Sequence, residues 1–175
     1  MIYTYSYSSR LGKITLAAND RALTGLWFEG QKYYANTLKG DYDFEHVESR
    51  SVDSHPVFCQ AVDWLDIYFS GREPDFMPPV SLTGSPFQLE VWEILKGIPY
   101  GQTMTYGEIA ARIARQRGLA TMSAQAVGGA IGHNPISIIV PCHRVVGANG
   151  NLTGYAGGID KKRGLLKIES NGRLL

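Results

Sequence analysis

The stretch from Pro74 to Pro86 limits what this chain can become. Pro74, Pro78, Pro79, Gly84 and Pro86 crowd into it. Proline fixes its own φ and lacks an N–H, so it continues neither a helix interior nor a central strand. A linker is expected there, with residues 1–80 and 81–175 forming separately patterned halves. At 175 residues and 44% hydrophobic, the chain can bury a core as one domain or as two small ones.

Before the break, Tyr3, Tyr5 and Tyr7 alternate with Thr4, Ser6 and Ser8, the two-residue period of a half-buried strand. Leu11-Gly12 turns the chain into a second strand, Ile14 to Ala18, and Leu23 to Phe28 supplies a third; such short connections predict antiparallel neighbours. From Pro56 to Ser70, Phe58, Ala61, Val62, Leu65 and Phe69 recur at helical spacing, and Gly71 offers a stop. After the break, Ser85, Pro86 and Gln88 predict a capping box opening a helix with the stripe Phe87, Val91, Leu95 and Ile98. Thr105 with Glu108 repeats the pattern for a helix running to Arg117, where Gly118 ends it, and another runs from near Ser123 to Gly132. Two short helices joined by a tight turn resemble a helix-turn-helix. Gly128 and Gly129 each cost the second of them about 1 kcal/mol relative to alanine. Two compensations are open: a smooth face for a nucleic-acid groove or for the loop that carries Cys142, or tight packing inside the protein.

Charge is distributed unevenly. The sequence up to Thr83 holds 7 Lys and Arg against 11 Asp and Glu, whereas the remainder holds 10 against 5. A basic surface binds phosphate chiefly through counterion release, so nucleic acid is a natural partner of the second half; a chance asymmetry is the other reading. Met1-Ile2-Tyr3-Thr4-Tyr5-Ser6 lacks the basic start and apolar centre of a secretory signal, and no apolar stretch approaches the roughly 18 residues of a membrane span. A cytoplasmic protein without a membrane partner is expected.

The chain has two cysteines. Cys59 falls off its helical stripe in acidic surroundings and reads as structural. Cys142 stands in Pro141-Cys142-His143-Arg144-Val145, directly after the apolar run Ile136 to Val140, which reads as a buried strand delivering sulfur to a pocket. A thiolate attacks soft carbon well, and a neighbouring base that lowers the thiol pKa would supply it near neutral pH. A buried structural thiol is the alternative. His46, His55, His133 and His143 show no ligand spacing with either cysteine, so no metal and no cofactor are expected.

The surroundings of Cys142 carry a wider likeness. Asn134-Pro135, Val146-Gly147 and Gly154-Tyr155-Ala156-Gly157-Gly158 flank it; Ile98-Pro99-Tyr100-Gly101-Gln102, Thr105-Tyr106-Gly107-Glu108 and Ala126-Val127-Gly128-Gly129-Ala130 precede it; Leu165-Leu166 and Glu169 follow. Residues 85 to 170 thereby resemble the O6-alkylguanine-DNA alkyltransferase family. The resemblance implies an α/β (α+β) protein: a ribonuclease-H-like sheet-and-helix support domain, then a mainly helical, winged-helix-like DNA-binding domain with a helix-turn-helix. It implies irreversible alkyl transfer from O6-alkylguanine in double-stranded DNA to Cys142 after nucleotide flipping, without turnover and with no obligate protein partner, as a monomer. Adduct size and acceptance of O4-alkylthymine are open.

By the same resemblance, His143 is the base, acting through a bridging water, Glu169 orients it, and Asn134 holds the loop. Tyr106 donates its hydroxyl to the flipped guanine, and Val145, Tyr155, Ala156 and Gly157 line the base pocket. Ser123, Gln125, Ala126 and Gly128 contact DNA. Arg115, in a stretch longer than in several relatives, has two readings: a phosphate contact, or an exposed basic helix end stabilised by the helix dipole. Much of the family has arginine where Gln125 stands, which implies weaker or more salt-tolerant binding here. Three other functions compete. A silent sensor of related build would carry tryptophan at position 142, a cysteine hydrolase usually seats its nucleophile at a helix N-terminus, and a regulatory helix-turn-helix protein leaves Cys142 and His143 unexplained.

Overall fold

The tyrosine alternation becomes β1 (Ile2–Ser9), with Tyr5 and Tyr7 buried and Ser6 and Ser8 exposed. This is seen in a computed structural model that describes residues 1–38, 44–47 and 49–171. β2 (Gly12–Ala18) pairs with β1 antiparallel, placing Tyr5 opposite Leu16 and Tyr7 opposite Ile14, and β3 (Leu23–Phe28) pairs antiparallel with β2. A fourth strand, β4 (Phe44–His46), joins the other side of β1 in parallel, giving the order β3-β2-β1-β4. Sequence periodicity missed it, because three residues are too few to show alternation.

α1 (Pro56–Phe69) covers this sheet, packing on β1, β2 and β3. Its N-cap is His55, whose Nδ1 accepts the Phe58 N–H, and Tyr7 donates its hydroxyl to Asp66 at 2.7 Å. Ile14, Leu16, Leu26, Phe28, Phe58 and Leu65 are wholly buried. Each such side chain stabilises the fold by about 1.5–3 kcal/mol through burial. The outer edge of β3 is covered by two short segments. Leu23 exchanges hydrogen bonds with Pro79 and Ser81 at 2.8 Å, and Leu26 does so with Pro135 and Ser137 at 2.9 Å.

Two compact units result: Met1–Thr83 with Pro135–Ser137, and Gly84–Asn134 with Ile138–Leu175. Sequence reading placed one boundary, after residue 80; the structure divides after residue 83 and builds three residues of the second half into the first unit.

The second unit opens with α2 (Pro86–Lys96). Its capping box is reciprocal: the Gln88 N–H donates to Ser85 Oγ at 3.1 Å and the Ser85 N–H to Gln88 Oε1 at 2.9 Å. Two residues of β5 (Met104–Thr105) lead into α3 (Tyr106–Arg117), where Thr105 and Glu108 form a second reciprocal box. Gly118 ends α3 in the left-handed region at φ 67°, where a side chain is strained. After residues 119–123, α4 (Ala124–Gly132) begins at the N-cap Ser123. Val91, Leu95, Ile109, Ile113 and Val127 are fully buried, and Trp92 donates from Nε1 to the Ala130 carbonyl at 2.8 Å, tying α2 to α4. Of the predicted α2 stripe, Phe87 is only half-buried and Ile98 lies past the Gly97 cap. β6 (Val145–Val146) pairs in parallel with β5, and α5 (Ile159–Glu169) closes the unit.

Candidate active site

The apolar run before Cys142 is buried but is not the predicted strand. Ile136 makes one isolated bridge, the following residues turn, and Ile138 sits at φ 69°. A β-branched residue in the left-handed region costs on the order of 1–3 kcal/mol and persists only where its surroundings dictate it. Asn134 supplies that constraint. Its Nδ2 donates to the Val140 carbonyl at 2.8 Å, closing the loop, and the Cys142 N–H donates to the same carbonyl at 2.8 Å. Periodicity could not distinguish a buried strand from a buried turn of similar composition. The sulfur therefore rides on a single 3-10 turn, Cys142–Arg144, rather than on a strand end.

His143 and Glu169 meet in the interior, Nε2 to Oε1 at 2.7 Å, both side chains almost wholly buried. Arg144 completes the group: its Nε and Nη2 donate to the Glu169 carboxylate at 2.8–3.1 Å, and Nη1 donates to the Ile98 carbonyl at 2.6 Å. Burial alone would push the Glu169 carboxyl up, but His143 and Arg144 outweigh it and bring its pKa down to about 2. His143 is pushed down, chiefly by burial, against the raising effect of Glu169. It is a neutral ring at neutral pH, held by a carboxylate that stays ionised.

The thiol itself departs from expectation. Burial pushes the Cys142 pKa up, although a hydrogen bond with Asn134, the charge of Lys162 and a hydrogen bond with Tyr155 pull the other way. A neighbouring histidine does not make a standing thiolate when that histidine is neutral and Cys142 is only 4% exposed.

Tyr106 begins α3 half-buried and donates its hydroxyl to the Thr153 carbonyl at 3.0 Å. Burial raises its pKa, so it remains a donor. Tyr155, Ala156 and Gly157 lie half-buried in the segment before α5, and Val145 is buried on β6. Ser123, Gln125 and Ala126 form an exposed start to α4, and Arg115 lies exposed in the last turn of α3. Gly129 is exposed with open space at its Cβ position, which removes tight internal packing as its explanation; a Cβ on Gly128 would touch the Tyr106 ring at 3.8 Å. Among the described residues no three His, Cys, Asp or Glu side chains gather as a metal site, and no helix is long and apolar enough to cross a membrane.

Residues 86–171 match the family model described as 6-O-methylguanine DNA methyltransferase, DNA binding domain, and residues 1–82 match that of its ribonuclease-like domain. The chain belongs to the 6-O-methylguanine DNA methyltransferase family. The methylated-DNA–protein-cysteine methyltransferase of Mycobacterium tuberculosis is 43% identical over 171 residues, 98% of this chain and 94% of that protein. The one from Methanosarcina acetivorans is 43% identical over 170 residues, 97% and 99% of the two chains. A crystal structure of Mycobacterium tuberculosis OGT in complex with DNA matches with a TM-score of 0.80 and 40% identity, covering 97% of this chain and 94% of that one. The O6-methylguanine-DNA methyltransferase from Pyrococcus kodakaraensis matches with a TM-score of 0.59 at 25% identity, covering 97% and 99%.

Cys142 and most of the residues that match the DNA-binding domain fall in the second unit. Two of its site residues escaped sequence reading. Arg144 was quoted only as part of the pentapeptide, and Lys162, wholly buried, was not singled out. A lysine inside an apolar helical stripe was the available signal, since lysine is almost never fully buried without a partner.

Proposed function

We propose that this protein repairs DNA by taking a methyl or other alkyl group from O6 of guanine onto Cys142, once per molecule. The observation that carries the reading is a buried thiol placed beside a neutral histidine that a permanently ionised glutamate holds in place. An alkyl group on O6 lies inside the base stack, so the nucleotide must first swing out; unstacking costs a few kcal/mol, least for a damaged pair. Ser123, Gln125, Ala126 and Gly128 on α4, with Arg115 on α3, meet the duplex, and the uncovered glycine face permits a close approach.

Because burial raises the Cys142 pKa, the sulfur is a thiol until its proton is removed. With Nε2 engaged by Glu169, the His143 nitrogen that takes the proton, through a water, is Nδ1. The imidazolium then sits against the Glu169 carboxylate. Sγ forms a bond to the alkyl carbon as the carbon–O6 bond breaks, its electron pair passing to guanine, which gains a proton in place of the alkyl group. Tyr106 donates to the base as charge develops, and Val145, Tyr155, Ala156 and Gly157 line the pocket. The product is a thioether. It has no electrophilic carbonyl for water to attack, so the protein is consumed. From the family resemblance we further propose a cytoplasmic monomer that needs no obligate protein partner.

Intact mass after incubation with duplex DNA containing O6-methylguanine tests this. The protein gains one methyl group, stoichiometrically, and Cys142→Ala gains none. Catalytic release of product, as a hydrolase would show, or methylation undiminished in Cys142→Ala, overturns it.

A further inference from the structure

The N-terminal unit holds a cleft of about 450 Å³ that alkyl transfer does not use. That is the volume of a small-molecule site. Tyr3 from β1, Asp20 from the turn between β2 and β3, Glu45 from β4 and His55 at the start of α1 line it. His55 is 9% exposed, and because its Nδ1 accepts the Phe58 N–H at 3.4 Å, the proton of the neutral ring sits on Nε2. Nε2 is buried and has no hydrogen-bond partner. A buried donor on the wall of a cleft, unmatched by the chain itself, calls for an acceptor from outside. The Tyr3 ring stands edge-on to the imidazole, centroids 4.7 Å apart.

Asp20 and Glu45 give the cleft its charge. The Tyr3 pKa is raised, first by the charge of Asp20, then by burial, by a hydrogen bond with Asp20 and by the charge of Glu45, so both carboxylates act on one ring. Among the described residues no lysine or arginine lines the cleft or pairs with either carboxylate. A metal ion suits this wall poorly, since no three ligating side chains gather among the described residues and ligation through Nε2 would move the proton to Nδ1, against the Phe58 N–H.

We infer that this cleft binds a compact dication carrying a carbonyl oxygen, as a basic amino-acid amide or the lysine N-terminus of a peptide does. Its two ammonium groups meet Asp20 and Glu45, one of them against the Tyr3 ring, and the oxygen accepts from His55 Nε2. A carbonyl suits the site better than a carboxylate, because two negative charges already line it.

Full-length protein is titrated with L-lysinamide at low salt and followed by two-dimensional amide NMR. Two matched probes divide the contacts: cadaverine keeps both ammonium groups without the carbonyl, and L-norleucinamide keeps the carbonyl with one ammonium. Lysinamide shifts the signals of Asp20, Glu45 and Phe58 and binds at least about threefold tighter than either probe. Asp20→Asn and Glu45→Gln each weaken it by about threefold or more, and added salt weakens it further. His55→Asn retains a capping acceptor for α1 but deletes the Nε2 donor, so lysinamide falls to the affinity of cadaverine while cadaverine itself is unaffected. Lysyl-glycyl-glycinamide separates the two sources: binding equal to that of lysinamide points to a peptide terminus, weaker binding to a free amide. Absence of shifts at the cleft in millimolar lysinamide, equal affinity for all three probes, or affinity indifferent to the Asp20 and Glu45 substitutions overturns the inference. Methyl transfer by the same variants stays at the wild-type rate, so a failure of alkyl transfer is read separately from a failure of the cleft.

Discussion

Replacing Glu169 with glutamine tests the buried charge group most directly. The carboxylate accepts from His143 at 2.7 Å and from Arg144 at 2.8–3.1 Å, with a longer contact from the Gly101 N–H at 3.4 Å. Glutamine offers one oxygen, and its amide would set donor against donor, leaving Arg144 under-compensated. Removing one partner of a buried ion pair is worth about 3–5 kcal/mol. The Glu169–Arg144 contacts persist with His143 neutral, so Glu169→Gln should lose about 3 kcal/mol in urea unfolding near pH 7. The sign with pH follows from the depressed Glu169 pKa. Stability from this group is fully present above about pH 4.5 and is lost as pH falls towards 2. The gap between wild type and variant should therefore close over that window. A neutral-pH loss under about 1 kcal/mol, or a gap undiminished at about pH 3, would refute the electrostatic account of Glu169.

Gln125→Arg should tighten DNA binding at low salt and steepen the log–log salt dependence by about 0.9 for one added phosphate contact; unchanged affinity, salt slope and repair rate would discard a role for Gln125. Gly129→Leu should raise stability by about 0.5–1 kcal/mol through helix propensity while weakening DNA binding, and a variant that binds DNA normally would remove that helix face from the interface. Ser85→Ala should lose about 1 kcal/mol in thermal or urea unfolding with methyl transfer unaffected, because the cap hydrogen bond to Gln88 disappears; equal stability would make the cap dispensable.

What the sequence disclosed was local. Strand alternation in β1 and the capping boxes at Ser85 and Thr105 are written within four or five residues, and the structure builds each of them. β4 and the turn around Ile138 depend on partners far along the chain, which periodicity does not report. The reactive pentapeptide was legible because thiol and imidazole are adjacent. Arg144 and Lys162 acquire their meaning only from partners such as Glu169, Thr153 and Gly154. The rise in the Cys142 pKa was hidden for a similar reason: neighbours in sequence suggested a base, while packing decided the dielectric.

The two segments that cover β3 also bear on biosynthesis. As the polypeptide leaves the ribosome, the N-terminal sheet can assemble at once, yet Leu26 keeps an unsatisfied N–H and C=O until Pro135 and Ser137 emerge. Such an open rim invites pairing with a foreign strand. Translation arrested before residue 135 should yield a sticky product, visible as sedimenting aggregate, where release of the whole polypeptide yields none.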